Sequence, residues 1–168
     1  MLSTFLVGHP WITPALLALG VVAALALGPR LARRPRLTGV LAGLSLLPLA
    51  ALTLVPVDRD LVVGCAVEWS WPTPARVESF ANLVLLVAPV FLAGVATRRP
   101  VPAAVAGSAL SAGIEAFQAL VPALGRSCDT GDWTANSLGS VVGGLLAWVV
   151  LKLVRRNGAE APAGPRRG

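Results

Sequence analysis

Between Ser108 and Gly144 the chain reads SALSAGIEAFQALVPALGRSCDTGDWTANSLGSVVGG. Two apolar runs meet at a short polar turn, and Glu115, Gln118 and Asn136 sit inside the runs rather than in the turn. Such groups are costly in a lipid-spanning helix, so they usually face a cavity or a partner. Oxygen ligands of the kind carried by Glu115, Asp129 and Asp132 suit a hard divalent cation, but no ligand spacing supports a metal site and none is assigned. Two carboxylates in different surroundings can divide acid and base roles. A Ser-His-Asp or Cys-His arrangement is not available, because the only histidine, His9, is far away in the sequence. No glycine-rich phosphate loop is present, since Gly139, Gly143 and Gly144 lie inside an apolar run; no cofactor is expected.

The elements that hold these groups follow from composition. The chain has 168 residues, 55% of them hydrophobic and 13% charged, and a mean hydropathy of +0.75. Soluble domains carry about 25% charged residues, and about 20 apolar residues span a bilayer core as a helix. The expected class is therefore all-α: a polytopic membrane helical bundle in one transmembrane domain, residues 1–154. Five spans are read at about 11–27, 37–55, 77–96, 102–121 and 134–154, with Thr73-Pro74 as a start signal ahead of the third. Met1 to Pro10 is too short to cross, no cleavable signal peptide is evident, and the tail 155–168, rich in Pro, Gly and Arg, reads as disordered.

Basic residues set the expected orientation. If the first span enters from outside, the cytoplasmic side holds Arg30, Arg33, Arg34, Arg36, Arg98, Arg99, Lys152, Arg155, Arg156, Arg166 and Arg167, and the other side only Arg59, Arg76 and Arg126. That asymmetry obeys the positive-inside rule, with the N-terminus outside and the C-terminus cytoplasmic in a bacterial plasma membrane. The net charge of +6 is thus a matter of location, and no nucleic-acid partner is expected. Cys65 and Cys128 both fall on the outer, oxidising side, where they either form a disulfide or remain two unrelated thiols.

Helical spacing aligns i, i+3, i+4 and i+7. Ser108, Ser111, Glu115 and Gln118 share a stripe on the fourth span, and Asp132, Asn136, Gly139 and Gly143 on the fifth. Glu78 and Asn82 stack on the third. The polar members gather at the outer end, where the turn adds Arg126, Asp129 and Asp132. Each has a plainer reading as well. Asp132 would serve as an N-cap, Asn82 and Asn136 would bond across helices, and Gly139 and Gly143 would form a close-packing GxxxG face suited to Ser108 and Ser111. Arg126 would anchor the interface or pair with an acid, and Glu78 would be a solvated first-turn acid. Glu115, more than a turn inside its span, is the hardest to explain as structure alone.

These residues resemble the VanZ-like family of small membrane proteins. The resemblance rests on Glu115-x-x-Gln118, Gly125-Arg126-Ser127, Asp129-x-x-Asp132 and Asp132-x-x-x-Asn136-x-x-Gly139-x-x-x-Gly143, with Asn82 and its apolar run to Pro89 as an earlier element. It implies a multi-span membrane protein and, from the founding member, a link to lowered teicoplanin susceptibility. The expected function is an outer-leaflet polar site, formed by Glu115, Gln118, Arg126, Asp129, Asp132, Asn136 and Asn82. It would bind a cell-envelope lipid, a precursor or a lipidated glycopeptide. The alternative is a membrane-embedded enzyme acting on a lipid or peptidoglycan precursor through Glu115 and Asp132. In either case membrane lipids are partners.

Overall fold

A computed structural model describes residues 6, 8–56, 65–69, 71–126 and 128–159. Five helices long and apolar enough to cross a membrane dominate it: α1 (Ile12–Leu31), α2 (Pro35–Leu54), α3 (Val77–Thr97), α4 (Pro100–Leu120) and α5 (Thr130–Ala159). Two residue pairs, β1 (Cys65–Ala66) and β2 (Cys128–Asp129), form a short parallel ladder. Asp58, Arg59, Asp60, Ser127 and the tail beyond residue 159 lie outside the described residues.

Local chemistry sets the helix ends. Pro35 and Pro100 open α2 and α4, where a missing N–H costs nothing. Thr38 Oγ1 donates to Leu31 O at 2.8 Å and approaches Arg34 O at 3.0 Å, tying the end of α1 to the start of α2. Arg98 closes α3 in the left-handed conformation at φ 58°, and the next N–H returns to Gly94 O at 3.2 Å. Short links reverse the chain between α1 and α2 and between α3 and α4; α3 and α4 pack as neighbours, whereas α1 and α2 meet little beyond their turn and α2 packs on α3. The basic turns at Arg30–Arg34 and Arg98–Arg99 therefore share one end of the bundle with the C-terminal end of α5. The ladder marks the other end.

Helices α3 and α5 form the centre and pack most extensively. The small faces of Gly139 and Gly143 make this approach close. A Cβ on Gly139 would run into the Leu83 carbonyl, and one on Gly143 would lie 2.6 Å from Val87 O. The GxxxG face thus meets the backbone of α3, not Ser108 and Ser111 as expected from the sequence. Helix α1 docks on the same pair through Ala24 and Gly28, the latter against Val150 and Phe91. From Leu16 to Leu31 it leaves an apolar groove of about 260 Å³ against α3. Leucines and valines such as Leu19, Val40, Leu47, Val105 and Leu145 point outward. That surface would be a liability in water and is what lipid requires.

Three boundaries depart from the expectation: α1 runs on to Leu31, four residues past the expected end at Leu27, and carries Arg30 in its last turn, and both ends of α5 differ. Helix α5 begins at Thr130 rather than Thr134, so Asp132 stands in its first turn and does not precede it. It also continues through Arg155 and Arg156 to Ala159, where the sequence composition suggested a disordered tail from Arg155.

Candidate functional site

Helix α4 buries only Gly107, Ser111, Glu115 and Gln118. Its lipid side is apolar and its inner stripe is small or polar, the reverse of a soluble amphipathic helix. The stripe meets a matching face of α5. Ser108 and Ser137 hydroxyls share a hydrogen bond of 2.7 Å, Asn136 Nδ2 donates to Ser111 Oγ at 2.9 Å, and Trp133 Nε1 donates to Ser108 O at 3.3 Å. Close approach is secured by Gly107, where a Cβ would sit 2.6 Å from Ser140 Oγ. The α4–α5 seam is a hydrogen-bonded layer at the ladder end of the bundle.

Glu115 stands at the top of this layer, 8% exposed. Its Oε2 accepts the Asp129 N–H at 2.8 Å, so a buried carboxylate pins the turn that precedes α5. Asp129 Oδ1 in turn accepts the Gly131 N–H at 2.7 Å, a side-chain turn that leads into the helix. Gln118 reaches the other way, donating from Nε2 to Thr53 O on α2 at 2.8 Å. Arg126 donates from Nε to Val55 O at 3.1 Å, which places its guanidinium at the end of α2.

From α3, Asn82 lies within hydrogen-bonding range of the Asp132 carboxylate. Asp129 and Asp132 are within electrostatic range of Glu115, and Asp129 and Glu78 within range of Asp132. Four acidic side chains from α3, α4 and the start of α5 therefore share one end. Glu78 is exposed, Asp129 and Asp132 are half-buried, and Glu115 is buried. Among the described residues no three Asp, Glu, His or Cys side chains gather closely enough to hold a metal ion.

A disulfide joins Cys65 to Cys128 and fixes the ladder. Thr130 extends the clamp, accepting the Glu68 N–H at 2.9 Å and donating to Glu68 O at 2.9 Å. Trp69 then stands edge-on to Trp133 with ring centroids 6.5 Å apart. The loop before α3 is thus strapped across the mouth of the polar layer. Trp133, Ser137, Ser140 and Gly107 belong to the layer without having been singled out from the sequence. Small and polar residues recurring at helical steps on both runs were the available signal.

A family model matches the chain over residues 15–152, described as VanZ/LLP1. The chain belongs to the VanZ/LLP1 family. The match takes in the polar layer of this VanZ-like protein entire, from Asn82 to Ser140, together with the five apolar helices that make it a membrane protein. No curated protein matches the chain, and no solved structure does.

Proposed function

We propose that this VanZ-like protein sits in the bacterial plasma membrane with its ladder end outside. There its polar layer binds a lipid-linked molecule of the cell envelope or a lipidated glycopeptide, and so lowers susceptibility to teicoplanin. The observation that carries this reading is Glu115: a buried carboxylate on a lipid-spanning helix whose other buried positions are small or uncharged. Charged groups inside spans mark ligand paths or partners more often than packing. Orientation is supported from both ends. Arginines crowd the end opposite the layer, and a disulfide belongs in an oxidising compartment.

The test is carried out in a susceptible Gram-positive host expressing wild type, Glu115→Gln or Asp132→Asn at matched membrane levels. Wild type is expected to protect against teicoplanin more than against vancomycin, and both variants to lose that protection. Well-expressed wild type that leaves teicoplanin susceptibility unchanged would remove the antibiotic reading for this chain.

A further inference from the structure

The groove between α1 and α3 is open space in an otherwise close-packed bundle. Every residue that lines it is apolar, and its floor includes Phe91 of α3 and Leu146 of α5. Small residues make the room: Gly20 and Ala23 on one wall, Ala88 on the other. A Cβ on Gly20 would meet nothing within 4 Å, whereas one on Gly28 would lie 2.7 Å from Val150 Cγ2. Helix α1 is therefore held at Gly28 and stands clear at Gly20. The stretch from Leu16 to Leu31 rises about 22 Å, more than half of a hydrocarbon core about 30 Å thick. A whole acyl chain from one leaflet lies within that depth.

Charge is unequal along the groove. Leu16, Gly20, Ala23 and Leu27 follow one another at helical steps, and the next position of that stripe is Arg30, which is exposed. The turn then folds back on Leu31, the last lining residue of α1, with the Arg33 N–H on Arg30 O at 3.2 Å and the Arg34 N–H on Leu31 O at 2.9 Å. Arg98 and Arg99 close α3 at the same level. The described acids, Glu68, Glu78, Glu115, Asp129 and Asp132, all stand at the ladder end. An apolar channel that opens at a cluster of arginines matches an amphiphile with an anionic head.

We propose that the α1–α3 groove holds an acyl chain of an anionic phospholipid from the leaflet at the arginine end, with its phosphate among Arg30, Arg33 and Arg34. Guanidinium groups suit phosphate because they donate two parallel hydrogen bonds to its oxygens, and basic pockets beside membrane helices take anionic headgroups. A second copy of the chain fits less well. Copies inserted in the same sense meet at equal levels, so another arginine turn would come against this one and repel it. The inference is independent of what the polar layer binds.

Full-length protein in mild detergent is offered an equimolar mixture of phosphatidylglycerol and phosphatidylethanolamine with identical chains, and retained lipid is read by native mass spectrometry. Phosphatidylglycerol is expected to be retained about five-fold or more over phosphatidylethanolamine, the contribution of one arginine near an anionic surface. Arg30→Gln combined with Arg34→Gln should bring the ratio close to one. Gly20→Leu and Ala88→Leu fill the groove from opposite walls, and either should lower phosphatidylglycerol retention, whereas Gly113→Leu on the lipid side of α4 should not. Two groove-filling variants keep the test decisive if one fails to fold. Equal retention of the two lipids overturns the inference, as does retention unchanged in both groove-filling variants. A preference that survives at Arg30 and Arg34 but disappears with Arg155→Gln and Arg156→Gln places the headgroup elsewhere and also overturns it. So does a lipid-free wild-type dimer that Gly20→Leu dissociates, which would assign the groove to a second copy.

Discussion

Substituting Gly139 by alanine adds a single methyl group, and the structure places it against backbone rather than a side chain. The Cβ would overlap the Leu83 carbonyl of α3, and a carbonyl cannot swing aside as a rotamer can. At Gly143 the nearest atoms are Val87 O at 2.6 Å and Phe91 N at 3.0 Å. Ordinary contact lies near 3.5 Å, so α3 must retreat by roughly 1 Å at Gly143, and further at Gly139. Overpacking of this kind costs about 1–3 kcal/mol, against a helix-propensity gain of up to about 1 kcal/mol for alanine over glycine. Gly113, on the lipid side of α4, has nothing within 4 Å of its Cβ position and collects the gain alone. Thermal unfolding of the three purified variants, followed by tryptophan fluorescence, should therefore rank Gly113→Ala highest, then Gly143→Ala, then Gly139→Ala. At about 2–4 °C per kcal/mol for a chain of this size, Gly139→Ala should melt roughly 5 °C or more below Gly113→Ala. Melting within about 2 °C of Gly113→Ala would refute the close α3–α5 contact and the position of the layer that depends on it.

The disulfide predicts that a thiol-reactive polymer shifts the mobility of membrane-extracted protein only after reduction; labelling of both cysteines without reductant would contradict the Cys65–Cys128 clamp. Glu115→Gln should melt at or above the wild-type temperature, because the glutamine carbonyl still accepts the Asp129 N–H while the cost of a buried charge disappears. A fall beyond about 5 °C, more than 1 kcal/mol for a chain this size, would mean that the charge itself holds the fold.

The helices were legible because a lipid-spanning helix announces itself by length and by freedom from charge. The turns at Arg30–Arg34 and Arg98–Arg99 punctuate them clearly. The partner of each helix face was not legible. Gly139 and Gly143 signal close approach, but periodicity carries no information on whether α3 or α4 does the approaching. The start of α5 was misplaced because Asp129, Thr130 and Asp132 each suit a helix start, and the choice fell to the Asp129 carboxylate accepting the Gly131 N–H. Glu115 and Asn136 were visible near one end of their spans, since polar residues in apolar runs stand out, but the pairing of Ser111 with Asn136 was not, Ser111 having been expected against Gly139 and Gly143. Trp133, Ser137 and Ser140 were hidden, because serine and tryptophan are ordinary near a membrane interface. Arg126 was expected as an interfacial anchor or an ion-pair partner; its bond to Val55 O depends on where α2 ends, a tertiary fact that no local pattern encodes.

Helix packing alone is a poor account of the polar layer. Interhelical hydrogen bonds in membranes contribute on average about 0.6 kcal/mol, and the Ser108–Ser137, Asn136–Ser111 and Trp133–Ser108 bonds already join α4 to α5 without charge. Glu115 adds little to that seam. A carboxylate in a span costs up to about 3 kcal/mol, and one charge-assisted bond from the Asp129 N–H returns a similar amount, so the residue near breaks even before its neighbours are considered. Asp129 and Asp132 then oppose it as like charges, and Glu78 opposes Asp132. Beneath them lies an amide oxygen with no partner. A stripe of alanine and serine at the same positions would pack as closely and cost less.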